Sequence, residues 1–281
     1  AAALAAAEQD VNGLIDGVAV TEPNAQPRNT RHLRIVQGGV EQTTIGKPLM
    51  DYFGVATLLQ PCAAASMAAA DSAGYAFVAL LAPTVISQGA TRCASLAAKG
   101  LVNGATLAEQ SADARAQLRA YGWLADSEAL QLSHYAFATP AIAVTYSNTY
   151  ARASVADNLC GFSLAATNAT GDPIALSAAA QAGSFANGNG VPPTVGVNLV
   201  FNAAVNSAAP GAGKRDLLAA SPSTGALDLA LDGALCQRAL MTGSDALARR
   251  VQRNVEAVQL DARLRGKPTL IVHGRADALI P

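Results

Sequence analysis

The chain has 281 residues, 51% of them hydrophobic and 14% charged, which is enough apolar side chain for a sizeable core and argues against wholesale disorder. Nineteen Lys and Arg stand against 20 Asp and Glu, so the formal net charge is −1 and no basic excess exists to neutralise a phosphate backbone; a general nucleic-acid binder is disfavoured. Alanine supplies roughly a quarter of the residues, which raises the apolar fraction without implying a membrane protein.

In chain order, Ala1–Asp10 reads as helix. It carries no positively charged leader and no Ser, Thr, Asp or Asn cap, so it is not a signal peptide and the chain opens inside a helix. The run Leu14-Ile15-Asp16-Gly17-Val18-Ala19-Val20 predicts a strand, stopped by Thr21-Glu22-Pro23-Asn24. Pro48 is placed to begin a helix carrying Leu49, Met50, Tyr52 and Phe53. The apolar stretch Ala63–Ile86 holds Asp71, Ser72 and Pro83, so it is expected as buried helix and not as a membrane span, which needs about 20 nearly uncharged residues. Thr106-Leu107-Ala108-Glu109 has the capping-box pattern, opening a helix through Tyr121 with Gly122 as its stop.

Residues 167–214 are rich in Asn, Gly and Pro and read as long loops, broken by one strand or helix around Val195–Val205. A helix then starts near Ser244, with Leu247, Val251, Val255 and Val258 on one face, Arg249, Arg250, Arg253 and Glu256 mostly turned away, and Gly266 as its end. Thr269-Leu270-Ile271-Val272 is a compact strand followed by a turn at His273-Gly274. The stop at Ala278-Leu279-Ile280-Pro281 follows so soon that both ends look cut, and an internal piece of a longer protein is expected. The simplest architecture is α/β: residues 1–24 and 266–281 supply two strands of one parallel sheet, and residues 25–265 form a mainly helical lid or cap inserted between them.

Chemistry concentrates at the second strand. Parallel sheets carry reactive side chains on loops at the carboxyl ends of their strands. Asp277 falls on such a loop, three residues after Gly274, where it could orient a histidine as the acid of a serine-hydrolase triad. In an α/β-hydrolase the chain order is serine, acid, histidine. The alternative role for Asp277 is to cap the next turn. No serine fits the nucleophile position convincingly. Ser163 lies in Gly161-Phe162-Ser163-Leu164-Ala165, but no apolar strand precedes it, and Ser66 and Ser87 fit less well. His273 reads as a hydrogen-bonding neighbour of the loop, and His32 and His134 as isolated surface or core histidines.

Cys62, Cys93, Cys160 and Cys236 show no C-x-x-C and no histidine at ligand spacing, which argues against zinc. They could form two disulfides in any of three pairings or remain four buried thiols. No dinucleotide or phosphate-loop fingerprint occurs; Gly211-Ala212-Gly213-Lys214 is followed by Arg215 and preceded by no strand. Trp123, Tyr146 and Tyr150 could line an acyl pocket, with core packing the favoured reading.

Several stretches together resemble the D-(−)-3-hydroxybutyrate oligomer hydrolases. They are Ala1–Asp10 with Val11–Pro23, Leu58-Leu59-Gln60-Pro61-Cys62-Ala63-Ala64, Arg92-Cys93-Ala94, Ala151–Gly161 and Leu270–Pro281, and all four cysteines fall in matching segments. The resemblance runs through essentially the whole chain. It implies an exported α/β-hydrolase-like serine esterase, extracellular or periplasmic, that cleaves short 3-hydroxybutyrate oligomers after the polymer has been depolymerised. It implies no metal or organic cofactor, a small oligoester as partner, no nucleic acid and no stable membrane insertion, and it favours disulfides over free thiols. The family's serine belongs immediately before Ala1 and its histidine beyond Pro281, so Asp277 is the one triad member carried over. Two rivals are another lidded esterase, similar to feruloyl esterases or tannases, and a non-catalytic helical binding module.

Overall fold

The structure is a computed structural model. It describes residues 2–21, 27–28, 35–37, 39–42, 47–187, 197–204 and 214–272. Helix α1 (Ala2–Gln9) leads to strand β1 (Val18–Thr21), then to a hairpin of β2 (Ile35–Gln37) and β3 (Val40–Gln42). A helical run follows: α2 (Leu49–Ala64), α3 (Tyr75–Leu81), α4 (Pro83–Ser87), α5 (Gly89–Ala98), α6 (Leu107–Ala120), α7 (Gln131–Phe137) and α8 (Thr139–Ala151). Next come β4 (Phe162–Thr167), β5 (Pro173–Ile174), α9 (Ala178–Asn187), β6 (Asn198–Phe201), β7 (Leu218–Ala220) and β8 (Leu227–Leu229). The chain continues through α10 (Leu231–Thr242) and α11 (Ala246–Val258) to β9 (Thr269–Val272). Strand β4 sits between β5 and β6, β7 pairs with β8, and both groups are antiparallel; β1 and β9 pair in parallel.

Helix α2 is the axis of the main core. Its sequence, Leu-Met-Asp-Tyr-Phe-Gly-Val-Ala-Thr-Leu-Leu-Gln-Pro-Cys-Ala-Ala, is apolar on nearly every side, and all of it but Leu49 and Asp51 is buried. A helix without a polar face needs neighbours all round; α5, α6, α7, α8 and α10 provide them. Phe53, Leu59, Leu96, Leu118, Trp123 and Leu231 meet in the resulting cluster.

Pro61 inside α2 has no N–H, so the Thr57 carbonyl one turn earlier loses its helical donor. Arg92 on α5 supplies the replacement: its Nη1 donates to Thr57 O at 2.9 Å and to Leu58 O at 3.0 Å. At the end of α2 the Ala63 carbonyl accepts from Ser111 Oγ at 2.8 Å and Arg115 Nη1 at 2.7 Å, both on α6.

Local signals held where they were strongest. Pro48 is the extended residue before α2. Thr106 and Glu109 form the reciprocal capping box, and α6 runs to Ala120. Elsewhere the structure differs. The expected strand from Leu14 shortens to Val18–Thr21, because Asp10 accepts from the amides of Leu14 at 3.0 Å and Ile15 at 2.9 Å and holds that stretch as a loop. The stretch Ala63–Ile86 is not one buried helix. It breaks into the end of α2, a turn of 3-10 helix, α3 and α4, and Phe77 and Leu80 of α3 are 65% and 75% exposed. Helix α11 is capped by Asp245 and ends at Val258, well before Gly266; Ala248, Val251 and Val255 form its buried face while Val258 is exposed. Within 167–214 the structure adds helix α9, and β6 pairs with β4.

Of the alternatives for the cysteines, the disulfides are formed: Cys62–Cys93 joins α2 to α5, and Cys160–Cys236 joins the loop before β4 to α10.

Candidate active-site region

The register of the parallel pair runs from Val18 opposite Thr269 to Thr21 opposite Val272, so the two strands end side by side at their carboxyl edge. Four features hold this pair and its flanks together. The Val18 amide donates to Pro268 O at 2.9 Å, extending the ladder by one rung. Gly17 passes close to the same carbonyl: a Cβ there would lie 3.2 Å from Pro268 O. Asp10 takes the Leu14 and Ile15 amides and pairs with Lys267 Nζ at 3.4 Å, linking the end of α1 to the approach of β9. Those two backbone donors, aided by Lys267, hold its carboxyl below the ordinary carboxylate range. Glu8 adds a second clamp by accepting from the Asp261 amide at 2.8 and 3.0 Å.

Leu270, Ile271 and Val272 are all at least half exposed, so the described residues leave both faces of β9 uncovered. Parallel strands are normally buried on both faces.

The sequence-predicted site residues are distributed as follows. Asp277, His273 and Gly274 lie outside the described residues, as does His32; the structure describes the strand that precedes the first three, up to Val272. Ser163 is the second residue of β4, paired opposite Val200 of β6, and its Oγ accepts from Asn202 Nδ2 at 3.0 Å. A strand interior offers no strand-to-helix turn to project a nucleophile. Ser87 Oγ donates to Thr84 O at 3.3 Å, and Ser66 Oγ lies 3.4 Å from Arg115 Nη1. His134 is a core histidine. It is fully buried, with Gln60 Nε2 at 2.9 Å and Thr139 Oγ1 at 2.7 Å from its Nδ1, and the Trp123 ring is centred 5.0 Å away.

Trp123 is buried and stacked on Tyr52, which supports the core reading for it. Tyr146 and Tyr150 are half-buried and stack with centroids 6.0 Å apart; burial pushes the Tyr146 hydroxyl up to about 12. Among the described residues no cluster of His, Cys, Asp and Glu could hold a metal ion, and no helix is long and apolar enough to cross a membrane.

Sequence reasoning missed two features. One is a fully buried ion pair, Arg92 Nε to Asp228 Oδ1 at 2.8 Å. Arg92 also donates from Nη2 to Leu229 O at 2.6 Å. Burial works most strongly against the guanidinium charge, but Asp228 and Tyr135 together outweigh it and raise the Arg92 pKa. The other is a cavity of about 360 Å³ bounded by the end of α3, α4, α7, α8, β6, β8 and the turn at Lys214–Asp216. Its walls come from segments scattered between residues 81 and 229, with no local pattern to announce them.

Comparison with known proteins adds a family. The family model described as 3HB-oligomer hydrolase (3HBOH) matches residues 1–281. A D-(−)-3-hydroxybutyrate oligomer hydrolase of Azoarcus sp. (strain BH72) is 50% identical over 268 residues, covering 95% of this chain and 37% of the relative. Those of Polaromonas naphthalenivorans (strain CJ2) and Albidiferax ferrireducens are 50% and 48% identical over 286 residues, covering all of this chain and 38% of each relative. The chain thus spans somewhat more than a third of the length of these relatives. No solved structure matches.

Proposed function

The chain belongs to the 3HB-oligomer hydrolase family, and on that premise we propose that the whole protein is a serine esterase cleaving short 3-hydroxybutyrate oligomers to monomer. In this reading Asp277 is the triad acid, and the serine and histidine come from sequence outside these 281 residues. The serine Oγ attacks the ester carbonyl while the histidine takes its proton, backbone N–H groups stabilise the oxyanion, the alcohol leaves, and water releases the acyl-enzyme. Asp277 keeps the imidazole in the correct tautomer and stabilises its charged form.

The observation that carries the assignment of Asp277 is the parallel β1–β9 pair, whose chain leaves the carboxyl edge at Val272, five residues before this carboxylate. Ligand and catalytic loops of parallel sheets gather at that edge. The uncovered faces of β9 support an α/β-hydrolase-like sheet extended by further strands of the whole protein, with residues 1–24 and 266–281 in the core and 25–265 as the lid. The two disulfides support an extracellular or periplasmic location.

The test is hydrolysis of 3-hydroxybutyrate dimer and trimer by the whole protein, followed by chromatography of the monomer. Asp277→Asn is expected to lower kcat by about 10⁴-fold through loss of the histidine's orientation. Full activity in that variant would remove Asp277 from the triad. Turnover of feruloyl or galloyl esters without turnover of the oligomers would assign the protein to a different lidded esterase.

A further inference from the structure

The cavity of about 360 Å³ falls in the size range of small-molecule sites. Leu81, Val85, Phe137, Leu199 and Leu229 make its walls apolar. Its base is firmly held: Tyr135 lines it, and the Tyr135 hydroxyl donates at 3.5 Å to the same Leu229 carbonyl that Arg92 engages above the buried Asp228. This part of the wall is therefore pre-formed and does not depend on a ligand to order it.

The mouth is chemically different. Arg215 reaches it from the turn at Lys214–Asp216, is exposed, and has no ion pair among the described residues. Asp216 stands beside it and is itself engaged in an interaction. Thr84 and Asn198 add hydrogen-bonding groups at the lining. Leu81 and Phe137 remain partly in water at the opening and continue outward into the exposed Phe77 and Leu80 of α3.

Among the described lining residues Arg215 is the one cation, and a planar cation beside an apolar slot matches a short aliphatic chain that ends in one carboxylate. The neighbouring Asp216 carboxylate offsets part of the Arg215 charge, so a ligand with one negative charge is tolerated better than one with two. We propose that this cavity is a binding subsite for the acid end of an aliphatic hydroxy-ester oligomer, with the methyl-bearing chain along Leu81, Phe137 and Leu199 and the terminal carboxylate on Arg215. No residue of β1 or β9 lines it, so the subsite belongs to the helical region between the two strands. The identity of the chain as a 3-hydroxybutyrate oligomer rests on the function proposed above.

The experiment uses the whole protein and two readouts. Steady-state kinetics compare 3-hydroxybutyrate trimer as the free acid and as its methyl ester, and saturation-transfer NMR follows binding of hexanoate. Arg215→Gln is expected to raise KM for the free acid about five- to tenfold, the scale of one exposed charge-assisted contact, with the loss on KM and not on kcat. The methyl ester, lacking the charge, should shift far less, and hexanoate should weaken in parallel with the acid. Ala141→Phe, which fills the cavity from α8 where Ala141 lines it, should raise KM for both forms. An unchanged KM for the acid in Arg215→Gln, with hydrolysis intact, overturns the subsite and leaves the esterase reading standing. Absence of any oligomer hydrolysis, with hexanoate binding still weakened by Arg215→Gln, removes the esterase reading and retains a carboxylate-ended chain as the ligand.

Discussion

Removing Asp228 is the most informative single perturbation of the core. Arg92 and Asp228 are both fully buried, and their side chains meet at 2.8 Å. Arg92 gives three of its other four N–H groups to the carbonyls of Thr57, Leu58 and Leu229 and is fully buried, so it cannot turn to another anion or to bulk water. Asp228→Ala leaves the guanidinium buried with carbonyl dipoles alone, and removing one partner of a buried pair costs about 3–5 kcal/mol. Against a total stability of about 5–15 kcal/mol, that is a large fraction. Urea unfolding can be followed through Trp123, the single tryptophan of the chain. The double variant Arg92→Met/Asp228→Leu should recover only part of the loss, because Pro61 still denies the Thr57 carbonyl its helical donor. Adding Pro61→Ala to the double variant returns that donor and should recover more than the same change does in the native background. A loss below about 1 kcal/mol for Asp228→Ala, or an equal effect of Pro61→Ala in both backgrounds, would refute the reasoning.

Three further outcomes are expected. Opening the disulfides should destabilise the chain by about 3.7 kcal/mol for Cys62–Cys93 and about 4.5 kcal/mol for Cys160–Cys236 in the chain-entropy account, the order following their separations of 31 and 76 residues; denaturant midpoints of the paired Cys→Ser variants check the order. Gly233→Ala should cost about 1–3 kcal/mol, because the new Cβ would lie 2.7 Å from the Phe162 ring and 2.9 Å from the Cys160 carbonyl, and the adjacent disulfide restricts relief; a neutral melting temperature would mean that α10 can move aside. Asp10 has a lowered pKa in the folded chain, so its stabilisation is complete above the unfolded value near 3.8 and is lost as pH falls through the lower folded value. Asp10→Asn should therefore lower the melting temperature at pH 7 and leave it unchanged near pH 2; a difference independent of pH would remove the carboxylate from that role.

The elements read correctly from sequence are those whose cause is local. Thr106 and Glu109 are three residues apart and satisfy each other's backbone, so the start of α6 needs no other part of the chain. Pro48 before α2 and the Thr269–Val272 strand after Gly266-Lys267-Pro268 are local in the same sense. The errors fall where a side-chain contact or the packing around an element overrides its own sequence preference. Leu14 and Ile15 have strand-forming side chains, but the Asp10 carboxylate takes their amides first. Tyr75–Leu81 has the composition of a buried helix, yet among the described residues only its Val78 face is covered. Ser163 has no apolar strand before it, as its sequence indicates, but its own place in β4 depends on pairing with β6, which spans the Asn- and Gly-rich stretch between them.

The sequence by itself determined the helical character of the middle of the chain, the strands at its two ends and the family to which it belongs, since these rest on periodicity, caps and extended matching segments. Only the tertiary structure decided which cysteines pair, that the proline-orphaned carbonyl of Thr57 is answered by an arginine 35 residues away, and that segments between residues 81 and 229 converge around a cavity that Arg215 helps to line. The reason is physical: a cap or a turn is satisfied within a few residues, whereas a buried charge, a lost helical donor and a cavity wall find their partners wherever the packed chain brings them.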